Sequence, residues 1–459
     1  MDTFNVVRLL VAVPLLLLFL SAQGYWLLRF WRFASRMKSP LLRQIVRGFG
    51  ITTFGLVALA LTLLFFLGRR DLVWRFSGMM GVVGLWITTA FVSWTLIGMV
   101  SGIHLAWEYG GRLFAKPAKG PKRVATSSAG LSPASAAQYE VRRDRRRFVQ
   151  AATALAGAVP FGVGAYGFFI GRHDYRVHQV DLPISGLPQA LDGLRIAQLS
   201  DIHIGSYISA ADVRRAVGMV NELQPDLSVV TGDFITGPND PLRTCISELA
   251  RLSAPLGVWG CNGNHEIYAD AQHVAAELFA EHGMKLLRQE NAGISWRGAK
   301  LNLIGVDYQL ARSSRGRRLV MLAHTDSLVR RDMPNILLSH NPNSFPRAAE
   351  LGIELMLTGH THGGQVRVEI LDHRFSPAQF LTPYIADLYK RPLGSASELD
   401  DQEAWSAARS HAAVAPSAPA AVAPVPAALV YVNRGLGTIG APVRLGVPPE
   451  ISLLTLRCA

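Results

Sequence analysis

The sequence predicts a mixed α/β domain with parallel strands, carried behind a run of transmembrane helices. Three observations lead there. Five short apolar runs in the second half of the chain each end on Asp, His or Asn, in or beside a Gly- or Pro-containing turn. An amphipathic helical pattern joins the first two of these runs. Four long charge-free stretches fill the front of the chain.

Taken in order, those stretches are Leu9–Leu28, Gly48–Gly68, Phe76–Trp107 and Phe148–Gly171, of 20, 21, 32 and 24 residues. A helix of about 20 apolar residues crosses a bilayer, so residues 1–114 are expected to hold three spans, the third centred on Met80–Ile103. The stretch 148–171 is a fourth span or signal anchor, rich in Ala and Gly and containing Pro160. The cores of the stretches carry no Asp, Glu, Lys or Arg, which leaves a transport or proton-relay role without support. The loop Arg29–Arg47 holds six basic residues and the segment Arg112–Arg147 holds ten, against four on the other side: Arg8, Arg69, Arg70 and Arg75. The positive-inside rule places both loops in the cytoplasm, and a fourth crossing delivers everything after Gly171 to the outer side. If 148–171 packs without crossing, the domain that follows is cytoplasmic instead. Arg145-Arg146-Arg147-Phe148-Val149 resembles a twin-arginine export signal, with a basic stop at the membrane edge as the other reading. The A-x-A at Ala156–Ala158 sits too early for cleavage, so the fourth stretch is expected to remain as an anchor. Residues 115–147 read as a basic, disordered cytoplasmic linker, Ala/Ser/Pro/Lys-rich over 115–140.

The net charge of +13 divides unevenly. Residues 1–175 hold 21 basic and 6 acidic side chains, or +15; the remainder holds 25 and 27, or −2. The basicity belongs to membrane-proximal segments, so no nucleic-acid partner is expected. No basic-aromatic nucleic-acid motif or Gly-rich nucleotide fingerprint is present. Cys245, Cys261 and Cys458 form no metal-binding spacing, and the sequence leaves open whether Cys245 and Cys261 pair.

In the second half, LRIAQL at 194–199, LSVVT at 227–231, GVWGC at 257–261, NILLS at 335–339 and IELMLT at 353–358 read as strands buried on both faces. Ser209 and Asp212 form a capping box ahead of an apolar face of Val213, Ala216, Val217, Val220 and Leu223. Strand, helix and strand make a parallel βαβ unit. Ligands in such folds sit beyond the carboxyl ends of the strands, where SDIHIG (200–205), TGDF (231–234), GNHE (263–266), LSHNP (338–342) and GHTHGG (359–364) fall. Taken singly, Asp201 with His203 could be a surface turn and His340 a structural histidine. The ordered set reads as a polynuclear metal site. Carboxylate and imidazole without thiolate suit Mn, Fe, Zn or Co and argue against a cysteine zinc site. His360 and His362, two apart, point the same way only in an extended segment.

This series resembles the calcineurin-like metallophosphoesterase superfamily, with its D-x-H, G-D, G-N-H-[DE], H and G-H-x-H signature, over residues 176–457. The flanks LPISGLPQALDGLRIAQLSDIHIG, LTGHTHGGQV and VYVNRGLGTIGAPVRLGVPPEISLLTL are similar to the membrane-associated YkuE/YaeI-type phosphodiesterase branch, which includes lipid-directed pyrophosphatases. The resemblance implies a four-layer α/β/β/α sandwich. It implies two divalent metal ions: Asp201, His203 and His362 on the first, Asn264, His340 and His360 on the second, and Asp233 bridging. His265 would be no ligand but the proton donor to the leaving oxygen. Two cations about 3.5–4 Å apart lower the pKa of a shared water and clamp an in-line phosphoryl displacement. The expected activity is hydrolysis of phosphate ester or pyrophosphate bonds by that hydroxide, with a lipid-linked substrate suggested by the tether. The expected place is a bacterial inner membrane, with the domain on the periplasmic side. The backbone of the GHTHGGQ turn could face phosphate oxygens, and Arg434 is a further phosphate-contact candidate, with a surface turn as its alternative. Residues 394–428, rich in Ala and Pro, read as an insertion between two strands, with His411 a bystander. A membrane sensor or scaffold using the metal domain as a regulatory module is the alternative function; the intact ligand set weighs against it.

Overall fold

The computed structural model describes residues 3–65, 77–114, 133–310, 319–370, 373–380, 382–394 and 426–459. The chain separates into two compact units, one of Met1–Leu67 and Val82–Tyr166, the other of Gly68–Gly81 and Gly167–Ala459.

Four helices account for the apolar stretches: α1 (Thr3–Ala34), α2 (Pro40–Phe65), α3 (Ser77–Phe114) and α4 (Pro133–Phe169). Among the described residues, Gly81–Gly110 and Tyr139–His173 are long and apolar enough to cross a membrane. Helix α4 starts well before the charge-free stretch. Residues 133–147, expected as linker, therefore continue the helix, while 115–132 lie outside the described residues. The reason is local: Pro133 suits a first helical position, and the Ala- and Arg-rich segment has good helix propensity, with Glu140 and Arg143 paired at i,i+3. Aromatic rings fill the first unit. Phe30 stacks on Trp86 at 6.0 Å, and Phe161 meets Trp26 at 5.2 Å and Trp86 at 5.4 Å. Some polar groups there bond between helices: Trp86 Nε1 donates to Gln23 Oε1 (2.9 Å), and Ser93 Oγ donates to the Gly157 carbonyl (2.8 Å), the small-residue and hydroxyl contacts typical of helix packing in lipid.

In the second unit the strands are β1 (Arg176–Ile184), β2 (Arg195–Leu199), β3 (Leu227–Val230), β4 (Val258–Gly260), β5 (Lys285–Leu286), β6 (Glu290–Trp296), β7 (Ala299–Gly305), β8 (Asn335–Leu338), β9 (Leu355–Thr358), the hairpin β10 (Val368–Ile370) and β11 (His373–Phe375), β12 (Asp387–Pro392), β13 (Ala427–Val432) and β14 (Glu450–Cys458). They form two six-stranded sheets, ordered β1-β14-β2-β3-β4-β5 and β12-β13-β9-β8-β7-β6. Helices α5 (Ala210–Glu222), α6 (Leu242–Leu249) and α8 (Gln272–Glu281) cover the first sheet; α7 (Asn264–Tyr268) is a single turn between them, and α9 (Phe345–Glu350) covers the second sheet.

Period-two alternation decides the layers. In β2, Ala197 and Leu199 join the outer cluster with Val213, Val217, Ile246 and Phe279. Ile196 instead joins the inner cluster with Leu303, Leu338, Leu357 and Tyr431 of the other sheet. Ile304, Leu337, Met356 and Val430 face away from that inner core, onto Phe345 and Ala348 of α9. Helices, sheet, sheet and helix make four layers, α/β/β/α. The predicted capping box is present: Asp212 N donates to Ser209 Oγ (3.2 Å) and Ser209 N to Asp212 Oδ2 (2.9 Å).

The sheets are mixed, which the strand patterns did not show. Strands β2 to β5 are parallel neighbours, but β14 inserts antiparallel beside β2 and parallel beside β1. Strands β12 and β13 pair antiparallel, Pro392 opposite Ala427, and Leu393 N donates to the Pro426 carbonyl (2.8 Å). The Ala/Pro-rich insertion thus leaves from and returns to neighbouring strand ends. Its last two expected residues, Ala427 and Ala428, belong to β13; residues 395–425, with His411, lie outside the described residues.

Candidate metal centre

The five motifs leave the carboxyl ends of β2, β3, β4, β8 and β9. Asp201 and His203 follow β2, Asp233 follows β3, Asn264 opens α7 after β4, His340 follows β8, and His360 and His362 follow β9. Possible ligand atoms of Asp201, His203 and His362 lie within 4.8 Å of one another, and so do those of Asp233, His340 and His360. Asp233 stands between the two groups: its Oδ2 is 3.5 Å from His203 Nε2 and 3.0 Å from His340 Nε2. A third grouping brings His265 to His203 and Asp233.

The residues fit a pair of cations. His203 Nε2 and Asn264 Oδ1 are buried without a hydrogen-bond partner, and His340 Nε2 meets the Asp233 carboxylate. An orphaned buried polar atom costs about 1–3 kcal/mol, and two among the predicted ligands are atoms that metal ions would satisfy. The opposite ring nitrogens are held: His340 Nδ1 by the Thr231 carbonyl (2.6 Å), His203 Nδ1 by Thr236 Oγ1 (3.1 Å), His265 Nδ1 by the Thr236 carbonyl (2.7 Å). Such partners fix ring orientation, and a carbonyl fixes the tautomer as well.

Asp201, His203, Asp233, His360 and His362 all take left-handed backbone, with φ of 49°, 50°, 54°, 73° and 52°. Each such residue costs about 1–3 kcal/mol and persists where surrounding contacts over-determine it. This corrects the extended reading of GHTH. Thr361 Oγ1 accepts from Gly363 N (3.3 Å) and folds the segment into a turn. The two rings therefore part: His362 stacks on His203 at 5.0 Å, while His360 stands 5.1 Å from His340. Gly359 is required beside them, because a Cβ there would overlap Ser200 Oγ and Asp201 Oδ2.

The sequence model of the calcineurin-like phosphoesterases matches residues 194–364, the segment that holds all seven candidate ligands. Residues 194–364 form a calcineurin-like phosphoesterase domain. The chain is 30% identical to a bovine transmembrane protein with metallophosphoesterase domain, over 69% of this chain and 65% of that one. It is 26% identical to the metallophosphoesterase YkuE of Bacillus subtilis, over 69% of this chain and 98% of that one. It is 25% identical to the phosphodiesterase YaeI of Escherichia coli, over 51% of this chain and 83% of that one. The alignments thus span just under two thirds of the bovine relative and of its zebrafish counterpart, at 65% and 63%.

One residue of the phosphoesterase signature has a role that sequence reasoning passed over. Glu266, fully buried, accepts from the main-chain N–H groups of Asp233 (2.9 Å), Phe234 (2.8 Å), Ile235 (3.3 Å) and Gly263 (2.8 Å). It ties the loop of Asp233 to the loop of Asn264. The acid closing GNHE was its only sequence signal. Tyr308 had none: its hydroxyl lies 3.4 Å from His360 Nε2, and its ring meets Tyr268, an exposed side chain, edge-on at 6.4 Å.

Arg434 is 6% exposed, which corrects the surface-turn reading. Its guanidinium pairs with Glu450 (2.7 Å) and with Asp387, and lies 3.2 Å from His178. Its charge is answered by two carboxylates rather than offered to a phosphate.

Charge inside the centre follows burial and neighbours. Burial raises Asp201 to about 6, against the pull of His340. Burial, with His265 adding to it, lowers His203 to about 3; burial and His340 lower His360 to about 3. Burial alone would raise Asp233, but His340 and His265 outweigh it and hold its carboxyl well below the usual range. Burial alone would lower His340, but Asp233 and Asp201 outweigh it and raise it to about 10. Between pH 6.5 and 10, metal-free folded protein thus holds a proton on His340 that the unfolded chain does not. The stability from that proton is complete below pH 6.5 and is lost as pH rises through 10. A cation at Nε2 must displace it. Metal binding near pH 7.5 will therefore release about one proton, with affinity increasing with pH. Calorimetry in two buffers of different ionisation heat measures this; equal heats in both would contradict the protonated His340.

Proposed function

We propose that this chain is a membrane-anchored, dinuclear-metal phosphoric ester hydrolase of phosphodiesterase or pyrophosphatase type. The observation that carries the reading is the pair of ligand groups sharing Asp233, with orphaned ligand atoms on either side of it. In this reading Asp201, His203 and His362 hold one cation, Asn264, His340 and His360 the other, and Asp233 both. Bound there, two divalent cations such as Mn, Fe, Zn or Co would activate water and neutralise charge on the phosphoryl group. His265, held through Nδ1 by Thr236, gives its proton to the leaving oxygen.

A cleft of about 290 Å³ adjoins His360 and His362, lined also by Asn343, Thr361, Gln365, Thr382 and Ile439. No Lys or Arg lines it among the described residues. An uncharged alcohol portion suits it better than a second phosphate, which favours a diester of a neutral polyol, as in a lipid head group, over a nucleotide polyphosphate. The test is turnover by the detergent-solubilised full chain with Mn²⁺ against phospholipid, UDP-lipid and nucleotide diesters. Metal analysis after mild purification is expected to give about two ions per chain; a stoichiometry fixed at one in excess Mn²⁺ would overturn the dinuclear centre.

The 16 basic residues of the two cytoplasm-assigned segments against 4 on the other side favour an external catalytic domain. A phosphatase reporter active only after export, fused just beyond residue 180, is expected to be active. A stable but inactive fusion would return the domain to the cytoplasm, beside lipid precursors.

A further inference from the structure

Arg444 is the largest fully buried side chain among the described residues, at 1% exposure. Unlike Arg434, it has no carboxylate within ion-pair distance among the described residues. Its donors go to main-chain carbonyls instead. Nε donates to Gly437 O (3.1 Å), Nη1 to His362 O (3.0 Å) and Arg434 O (2.8 Å), and Nη2 to Gly435 O (3.0 Å) and again to Gly437 O. Two loops are gathered by one planar fork. The first is the turn that carries His362. The second is the NRGLG turn, which in turn grips the loop after β2: Leu436 N donates to Ser200 O (3.0 Å) and Gly437 N to Asp201 O (2.7 Å). Arg444 Nη2 and the Gly437 carbonyl also both lie 3.4 Å from His362 Nδ1.

Burying an unpaired charge is costly. No other side chain offers five donors in a fixed plane, and lysine offers three from a single point. The left-handed φ of His362, 52°, needs such an external clamp. Resting on the dinuclear reading above, we propose that Arg444 is a positioning residue for one of the two metal sites, that of Asp201, His203 and His362. It fixes the main chain of His362 against the loop of the other two ligands, and has no such contact with Asn264, His340 or His360.

The test is calorimetric titration of chelated full-length protein with Mn²⁺, comparing wild type, Arg444→Lys, Asn264→Ala and the double variant. Arg444→Lys is expected to weaken one site about 10–100-fold, the scale for lost supporting contacts, and to leave the other unchanged; the double variant is expected to retain no tight site. Two unchanged sites in Arg444→Lys, or two sites weakened equally, would overturn the inference. A wild-type protein that binds no Mn²⁺ would instead sink the dinuclear centre itself. If Arg444→Lys does not fold, hydrogen exchange of chelated wild type decides. Protection of 359–364 and 434–438 without metal supports the clamp, and exchange at free-loop rates refutes it.

Discussion

His265→Asn is expected to lower turnover by about 10²–10⁴-fold, the usual range for a general acid, while the protein still holds two metal ions. The Thr236 carbonyl accepts the Nδ1 hydrogen (2.7 Å), so a proton on offer to a leaving oxygen sits at Nε2. The backbone N–H of residue 265 donates to Asp233 Oδ1 (2.9 Å) and is untouched by the substitution. The loss will be smallest for substrates with good leaving groups such as nitrophenolate, which need little protonation. His265 also lies near His203 and Asp233 in a possible ligand grouping, and the same variant separates the roles. Lost metal with equal losses for good and poor leaving groups would make it a ligand.

Asp233→Asn is expected to reduce turnover by more than the about 10–100-fold typical of an outer-contact loss, because its carboxylate serves both ligand groups. Asparagine keeps an oxygen for the His265 N–H but removes the charge that two bound cations would share. Without metal the variant gives up the Asp233–His340 ion pair (3.0 Å), offset only in part by relief of repulsion with the buried carboxylates Asp201 and Glu266, so its Tm with Mn²⁺ is compared with its own metal-free Tm. What disappears is the metal-linked stabilisation, about 2.7 kcal/mol for a single site at a hundredfold excess over Kd. Thermal unfolding with and without Mn²⁺ measures this; an unchanged metal-induced rise in Tm would refute the bridging role.

Together the two variants separate proton transfer from metal holding. The Arg444 substitution adds a third axis, the placement of one ligand group relative to the other.

The apolar runs, the capping box at Ser209 and Asp212, and the order of ligand motifs were legible in the sequence because each is local. A buried strand shows as a short apolar run, a helix start as Ser and Asp three apart, and a ligand-bearing turn as Gly beside Asp or His. Those signals gave the α/β class and the five ligand-bearing turns, from which the family resemblance implied seven candidate ligands, and the charge-free stretches gave four helices. No local pattern shows which of these side chains lie together; the resemblance implied a grouping, and in the structure left-handed backbone at His360 and His362 sends their rings to opposite groups, against a local rule. The tertiary structure alone placed β14 between β1 and β2, parallel to the first and antiparallel to the second, and it alone made Glu266 and Arg444 supports of the centre. Arg444 reaches a carbonyl 82 residues earlier in the chain, and no periodicity or turn preference acts over that distance. Local patterns determine which elements form and where polar residues leave them. Which carbonyl or ring a buried charge meets depends on packing between layers, where the cost of an unsatisfied group selects one arrangement from many.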